Sequence, residues 1–130
     1  MRTSVRIAAC VAPLLAVAAH ATADGLLSLD EWTELTDGKT VHYSVDGQDA
    51  GREYYPTGGG FAVFVAPDGS CVEGPWAHTD GRFCFWYGAD FQCFYHRRKG
   101  EELVSEPDSG GQVQIITDIK DNEPLFCAPG

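Results

Sequence analysis

The chain has 130 residues, nine basic and nineteen acidic, for a net charge of −10 at neutral pH, and 12% of it is aromatic. This is the length of one domain, and its acidity argues against nucleic acid and anionic membrane surfaces as partners, because the attraction to phosphate would have the wrong sign. It favours solubility and the approach of a cationic partner.

Arg2 and Arg6 precede an apolar run from Ile7 to Ala19, followed by the small-x-small site Ala21-Thr22-Ala23. The pattern predicts a secretory signal peptide over residues 1–23 and hence a periplasmic or secreted protein. Ile7-Ala8-Ala9-Cys10 looks like a lipoprotein box, but the apolar segment runs on past Cys10 instead of ending there. Cleavage before Asp24 leaves a single domain of 107 residues, 24–130, with seven basic and nineteen acidic side chains and a net charge of −12. No other run is long enough to span a bilayer as a helix. Four cysteines remain, Cys71, Cys84, Cys93 and Cys127, and an even count in an exported domain of this size implies disulfides.

Ser28-Leu29-Asp30-Glu31 fits a capping box, and Leu29, Trp32 and Leu35 follow at helical spacing before Asp37-Gly38. A short amphipathic helix is expected over 28–37, marginal alone, so its Trp32 face must dock on something. Apolar or alternating runs then follow at 40–45, 51–55, 61–65, 71–76, 82–87, 91–98, 102–106 and 112–119. Turn signals such as Asp46-Gly47, Asp80-Gly81, Gly88-Ala89 and Lys99-Gly100 separate them. Such spacing predicts a mainly β fold, an antiparallel up-and-down small barrel or a strongly curled meander of seven to eight strands. Residues 120–130 read as a tail that Cys127 would pin.

The densest stretch, DGRFCFWYGADFQCFYHRR from Asp80 to Arg98, specifies its own register. A two-residue loop at Gly88-Ala89 matches a type II′ turn and places Trp86 opposite Phe91 and Cys84 opposite Cys93. Both are non-hydrogen-bonded pairs, with Cα atoms about 4.5 Å apart, close enough for a disulfide. Cys84–Cys93 is therefore expected, leaving Cys71–Cys127. Alternation puts Cys84, Trp86, Phe91, Cys93 and Tyr95 on one face and Phe83, Phe85, Tyr87, Gln92, Phe94 and His96 on the other. One aromatic face should fill the barrel. The other needs a cover, for which the Trp32 helix and the tail are the available segments and a ligand the alternative.

Metal and catalytic signals are thin. Cys93-x-x-His96 resembles half a zinc site, with Cys84 and His78 as the remaining ligands, but no second pair matches and exported cysteines oxidise, so neither metal nor cofactor is expected. Asp46, Asp49, Glu53, Glu73, His42 and His78 form no nucleophile-base-orienter set, and no enzyme activity is expected. His96-Arg97-Arg98-Lys99 is the one basic cluster, and alternation splits it between two faces as a solvated strand end.

GREYYPTGG, APDGSCVEGPW, DGRFCFWYG and a final PLFC together resemble a family of small exported bacterial proteins of uncharacterised function, with a lipocalin-like small β-barrel. The matching residues are Gly51, Arg52, Glu53, Tyr54, Tyr55, Asp68, Gly69, Cys71, Gly74, Trp76, Cys84, Cys93 and Cys127. The resemblance implies a fold and a compartment but no reaction. The expected protein is a monomeric, non-catalytic binding protein for a small apolar or aromatic ligand or a protein partner. Its candidate ligand-binding residues are Arg52, Tyr54, Trp76, Phe83, Phe85, Tyr87, Phe94 and His96. The alternative is an acidic inhibitor of a secreted or periplasmic hydrolase such as lysozyme. For residues 52–55 the competing structural reading is a strand with a surface Arg-Glu pair and packed tyrosines.

Overall fold

Ser28 does cap a helix. In the computed structural model, which describes residues 25–128, helix α1 spans Leu29–Thr36; the Glu31 amide donates to the Ser28 hydroxyl and the Ser28 amide to the Glu31 carboxylate. The signal peptide expected over 1–23 lies outside the described residues. Eight strands follow: β1 (Thr40–Val45), β2 (Gln48–Tyr54), β3 (Phe61–Val65), β4 (Cys71–Thr79), β5 (Arg82–Tyr87), β6 (Asp90–Lys99), β7 (Glu102–Pro107) and β8 (Gln114–Lys120). Each pairs antiparallel with the next, and β1 pairs with β8, so the sheet closes into an up-and-down barrel. Closure leaves no long unpaired edge.

Turn chemistry sets the hairpins. At Asp46-Gly47 and Asp80-Gly81 both residues have positive φ, 50° and 76° in the first pair and 52° and 76° in the second, as a type I′ turn requires. At the β5–β6 turn only Gly88 is positive, at 63°, the type II′ pattern that places Cys84 opposite Cys93 and Trp86 opposite Phe91. Both expected disulfides are present, Cys84–Cys93 and Cys71–Cys127. Strand β4 changes partner midway. It pairs with β3 through Pro75 and with β5 from Trp76, so the proline falls at the hand-over. At Gly74 a Cβ would overlap the Trp86 carbonyl oxygen, so only glycine allows β4 and β5 to approach this closely.

Helix α1 closes the barrel end where β1 begins and β6 finishes. Trp32 is fully buried inside, against Tyr55, Phe83 and His96, with ring centroids 5.7, 5.6 and 4.0 Å away. The chain before the helix holds it there: the Leu27 amide donates to the His96 carbonyl, the Arg98 amide donates to the Gly25 carbonyl, and Leu26 bridges to Arg97. Trp32 thus fills the interior and leaves the outer face of the 82–98 hairpin uncovered, contrary to the expectation from sequence. The tail does not cover that face either. It runs outside β1 and β2, where Glu123 meets Thr40, His42 and Arg52 and Phe126 lies 6.3 Å from Tyr54, before Cys127 reaches β4. An eight-residue helix with one large side chain gains more by burying Trp32 among aromatics than by lying on a wall. The uncovered face leaves Trp86 42% and Phe91 55% exposed.

The two bridges differ in the chain they close. Loop entropy assigns about 2.7 kcal/mol to Cys84–Cys93, closing about 10 residues, and about 4 kcal/mol to Cys71–Cys127, closing about 57. Replacing both cysteines of a pair by alanine should therefore lower the urea midpoint more for the 71–127 pair. The reverse order would show that the tail contributes little to the fold.

Candidate functional site

A cavity of about 390 Å³ lies between the Trp32 plug and the open end of the barrel. Inward alternation builds it. Tyr43 comes from β1, Glu53 from β2, Phe64 from β3, Val72 from β4, Phe85 and Tyr87 from β5, Asp90, Gln92, Phe94 and His96 from β6, Ser105 from β7 and Gln114 from β8. Val72, Asp90 and Gln92 are exposed at its mouth, whereas Glu53, His96 and Ser105 are buried.

Its chemical centre is Glu53, only 6% exposed. Three tyrosines on three strands or strand ends donate to it: Tyr43 to Oε1 at 2.9 Å, Tyr55 to Oε1 at 2.5 Å and Tyr87 to Oε2 at 2.7 Å. Burial raises the carboxyl pKa, and the three phenol hydrogen bonds pull it back down. The phenols respond in kind: burial first, then the Glu53 charge, pushes Tyr43, Tyr55 and Tyr87 above the ordinary tyrosine range. All three hydroxyls therefore stay protonated and available as donors.

His96 sets the inner end. It is 1% exposed and packs against Trp32 and Phe83, and neither ring nitrogen has a hydrogen-bond partner among the described residues. Burial, with a smaller contribution from nearby His78, lowers its pKa to about 3. The ring is neutral at pH 7, with one donor and one acceptor to offer.

Four of the sequence candidates, Phe85, Tyr87, Phe94 and His96, line the cavity. Trp76 and Phe83 point inward but belong to the aromatic floor, Trp76 against Tyr55 and Phe85 and Phe83 against Trp32. Arg52 and Tyr54 face outward under the tail, Arg52 toward Glu123 at 3.5 Å and Tyr54 toward Phe126. The Arg52-Glu53 surface pair is corrected at the same point: consecutive strand residues point to opposite faces, so Arg52 is outside and Glu53 inside. Tyr43, Phe64, Val72, Asp90, Ser105 and Gln114 were not expected in the lining. Alternation counted back from Glu53 through the two-residue Asp46-Gly47 turn reaches Ser44, and only the register shift between Tyr43 and Ser44, a bulge that no local pattern announces, brings Tyr43 to the inner face. Cys93 and His96 lie on opposite faces, and among the described residues no cluster of three His, Cys, Asp or Glu could hold a metal ion.

The fold and site together define a closed eight-stranded antiparallel barrel, plugged at one end by a helix and hollow toward the other. Comparison with protein-family models, with curated proteins and with solved structures gives no match.

The His96 environment predicts a pH dependence. In the unfolded chain the imidazole takes a proton below about pH 6.5, whereas in the fold it resists until about pH 3. The unfolded state then binds more protons, so this residue removes stability as pH falls, by up to ~1.4 kcal/mol per pH unit. Urea midpoints at pH 7.5, 6 and 5 should fall more steeply for the wild type than for His96→Phe. Parallel curves would refute a neutral, buried His96.

Proposed function

We propose that the protein is an exported, non-catalytic, lipocalin-like barrel that carries a small ligand in its interior cavity. The observation behind this reading is the cavity itself. Eight strands of a small barrel can fill their interior with side chains, yet here a space of about 390 Å³ opens to solvent past Val72 and Asp90. Its volume falls within the usual range for ligand pockets, and its lining combines five phenylalanine and tyrosine rings with convergent polar groups.

Val72 stands at the mouth and is 38% exposed, so Val72→Trp should obstruct entry without disturbing the floor. Titration with the neutral, environment-sensitive dye Nile red should give blue-shifted emission with the wild type and at least about tenfold weaker binding with Val72→Trp, about 1.4 kcal/mol. Equal binding by the two proteins would place the dye on the outer wall and sink the proposal.

A second reading, an acidic inhibitor of a cationic hydrolase, draws on the outer wall. Phe61 pairs with Pro75 and Trp86 with Phe91, and the β4–β5 register continued one step past the Trp76–Phe85 pair sets Pro75 beside Trp86, so four exposed side chains form an apolar row on the outer wall. Inhibition of a basic lysozyme that weakens through its on-rate as salt rises would support this reading. Absence of inhibition at low salt would remove it.

A further inference from the structure

We infer that the cavity takes a small organic cation: an ammonium carried on an apolar or aromatic body, the ammonium against Glu53 and the body against Phe85 and Phe94. The inference rests on the cavity being a ligand site and adds the chemistry of what enters it.

The distribution of charge points this way. Glu53 and Asp90 line the cavity, and no lysine or arginine does. The basic residues of the described chain lie elsewhere: Lys39, Lys99 and Lys120 sit where strands begin or end at the plugged end, beside Arg97 and Arg98, while on the outer surface Arg52 pairs with Glu123 and Arg82 with Asp108. The open end carries Asp46, Asp68 and Asp90 in or next to its turns. A cleft lined by one sign of charge in low-dielectric walls concentrates ligands of the opposite sign. A cation is drawn in, and a fatty acid or phosphate is repelled.

Hydrogen-bond capacity points the same way. An ionised carboxylate has about four acceptor sites. Tyr43 and Tyr55 occupy two at Oε1 and Tyr87 one at Oε2, leaving a place on Oε2 beside the Tyr87 hydroxyl. No cationic side chain among the described residues reaches Glu53, so three phenol dipoles stabilise its charge without neutralising it. An ammonium would supply both the fourth hydrogen bond and the missing counter-charge, in surroundings where a buried, unpaired carboxylate is costly. The aromatic walls suit the rest of such a molecule, since ring faces attract cations and stack on flat apolar groups.

His96 supplies an independent sign that a ligand belongs here. A buried polar group with no partner calls for an explanation, and this one lines the same cavity at the end opposite the mouth. Packed against Trp32 and Phe83, it can meet a polar group on the far end of a molecule whose ammonium is at Glu53.

Calorimetric titration of the disulfide-bonded protein at pH 7 with phenethylamine, its neutral counterpart 2-phenylethanol and the anion 3-phenylpropionate tests the inference. Phenethylamine should bind about tenfold or more tighter than the alcohol, and the anion weakest. Glu53→Gln keeps an acceptor for the tyrosines and removes the charge, so the preference for amine over alcohol should collapse while alcohol binding persists. Asp90→Asn, at the exposed mouth and remote from the floor, should reduce the same preference about twofold, and it reads the effect even where Glu53→Gln fails to fold. Alcohol binding as tightly as amine, or a preference unchanged in both variants, would overturn the cation and leave the cavity reading intact. Binding of none of the three at millimolar concentration would overturn both.

Discussion

The pairing of β1 with β8 is the constraint on which the rest depends. Closing the sheet fixes, on all eight strands at once, which alternate side chains are inside. An open meander could expose Glu53 or turn Arg52 inward by slipping one residue. A closed barrel cannot, because a slip would flip a whole strand and break both of its ladders. Tyr43 and Glu53 therefore meet inside on neighbouring strands, Tyr55 follows at the end of β2, and Tyr87 arrives from β5 across the interior. The carboxylate cluster follows from closure combined with the order of residues along β1, β2 and β5.

Its energetics decide which state the cluster holds. Desolvation alone would drive Glu53 toward the neutral acid, since burying a charge costs several kcal/mol. Three phenols donating together favour the anion, and hydrogen bonds to charged groups are worth about 1.5–3 kcal/mol each. Burial is the larger contribution to its pKa, and the three phenols offset part of it. A raised folded-state pKa means that this carboxyl costs stability as pH rises through the range between its ordinary value and its value in the fold, opposite in sign to His96. Such opposed groups in one cavity are expected of a site shaped for something other than stability.

Much of this was legible in the sequence where local chemistry is decisive. The capping box placed α1, and the Asp-Gly and Gly-Ala turns gave the hairpins. The coincidence of turn and cysteines gave the 82–98 register pair by pair. Strand limits shifted where pairing extends past the apolar run: β2 begins at Gln48, straight after its type I′ turn, and β4 continues through Pro75 to Thr79. What local pattern cannot carry is which of two aromatic faces becomes the inside, and where a tethered segment lands. Trp32 was expected on a wall and instead fills the plugged end. Arg52 and Tyr54 were expected near a ligand and lie beneath the tail. Alternation already separated Arg52 and Tyr54 from Glu53 and Tyr55. Only closure says which pair faces inward.

The outward placement of Arg52 and Tyr54 has a mechanical consequence for the cavity. Glu123 ties the tail to β1 and β2 through His42 and Arg52, and these contacts hold its carboxyl below the usual range. Two residues beyond it Leu125 is buried, and Cys127 then fastens the tail to Cys71 at the first residue of β4, one position from Val72 at the mouth. The strap thus joins the wall that carries Tyr43 and Glu53 to the wall that carries Val72, while Cys84–Cys93 stiffens the opposite hairpin that carries Tyr87 and Phe94. Both flanks of the opening are cross-linked from outside, where the bridges take no interior volume. A cavity framed in this way keeps its shape when empty, and binding then orders few side chains. For the ligand proposed above, less of the interaction energy would be lost on association than in a cavity that must first be ordered.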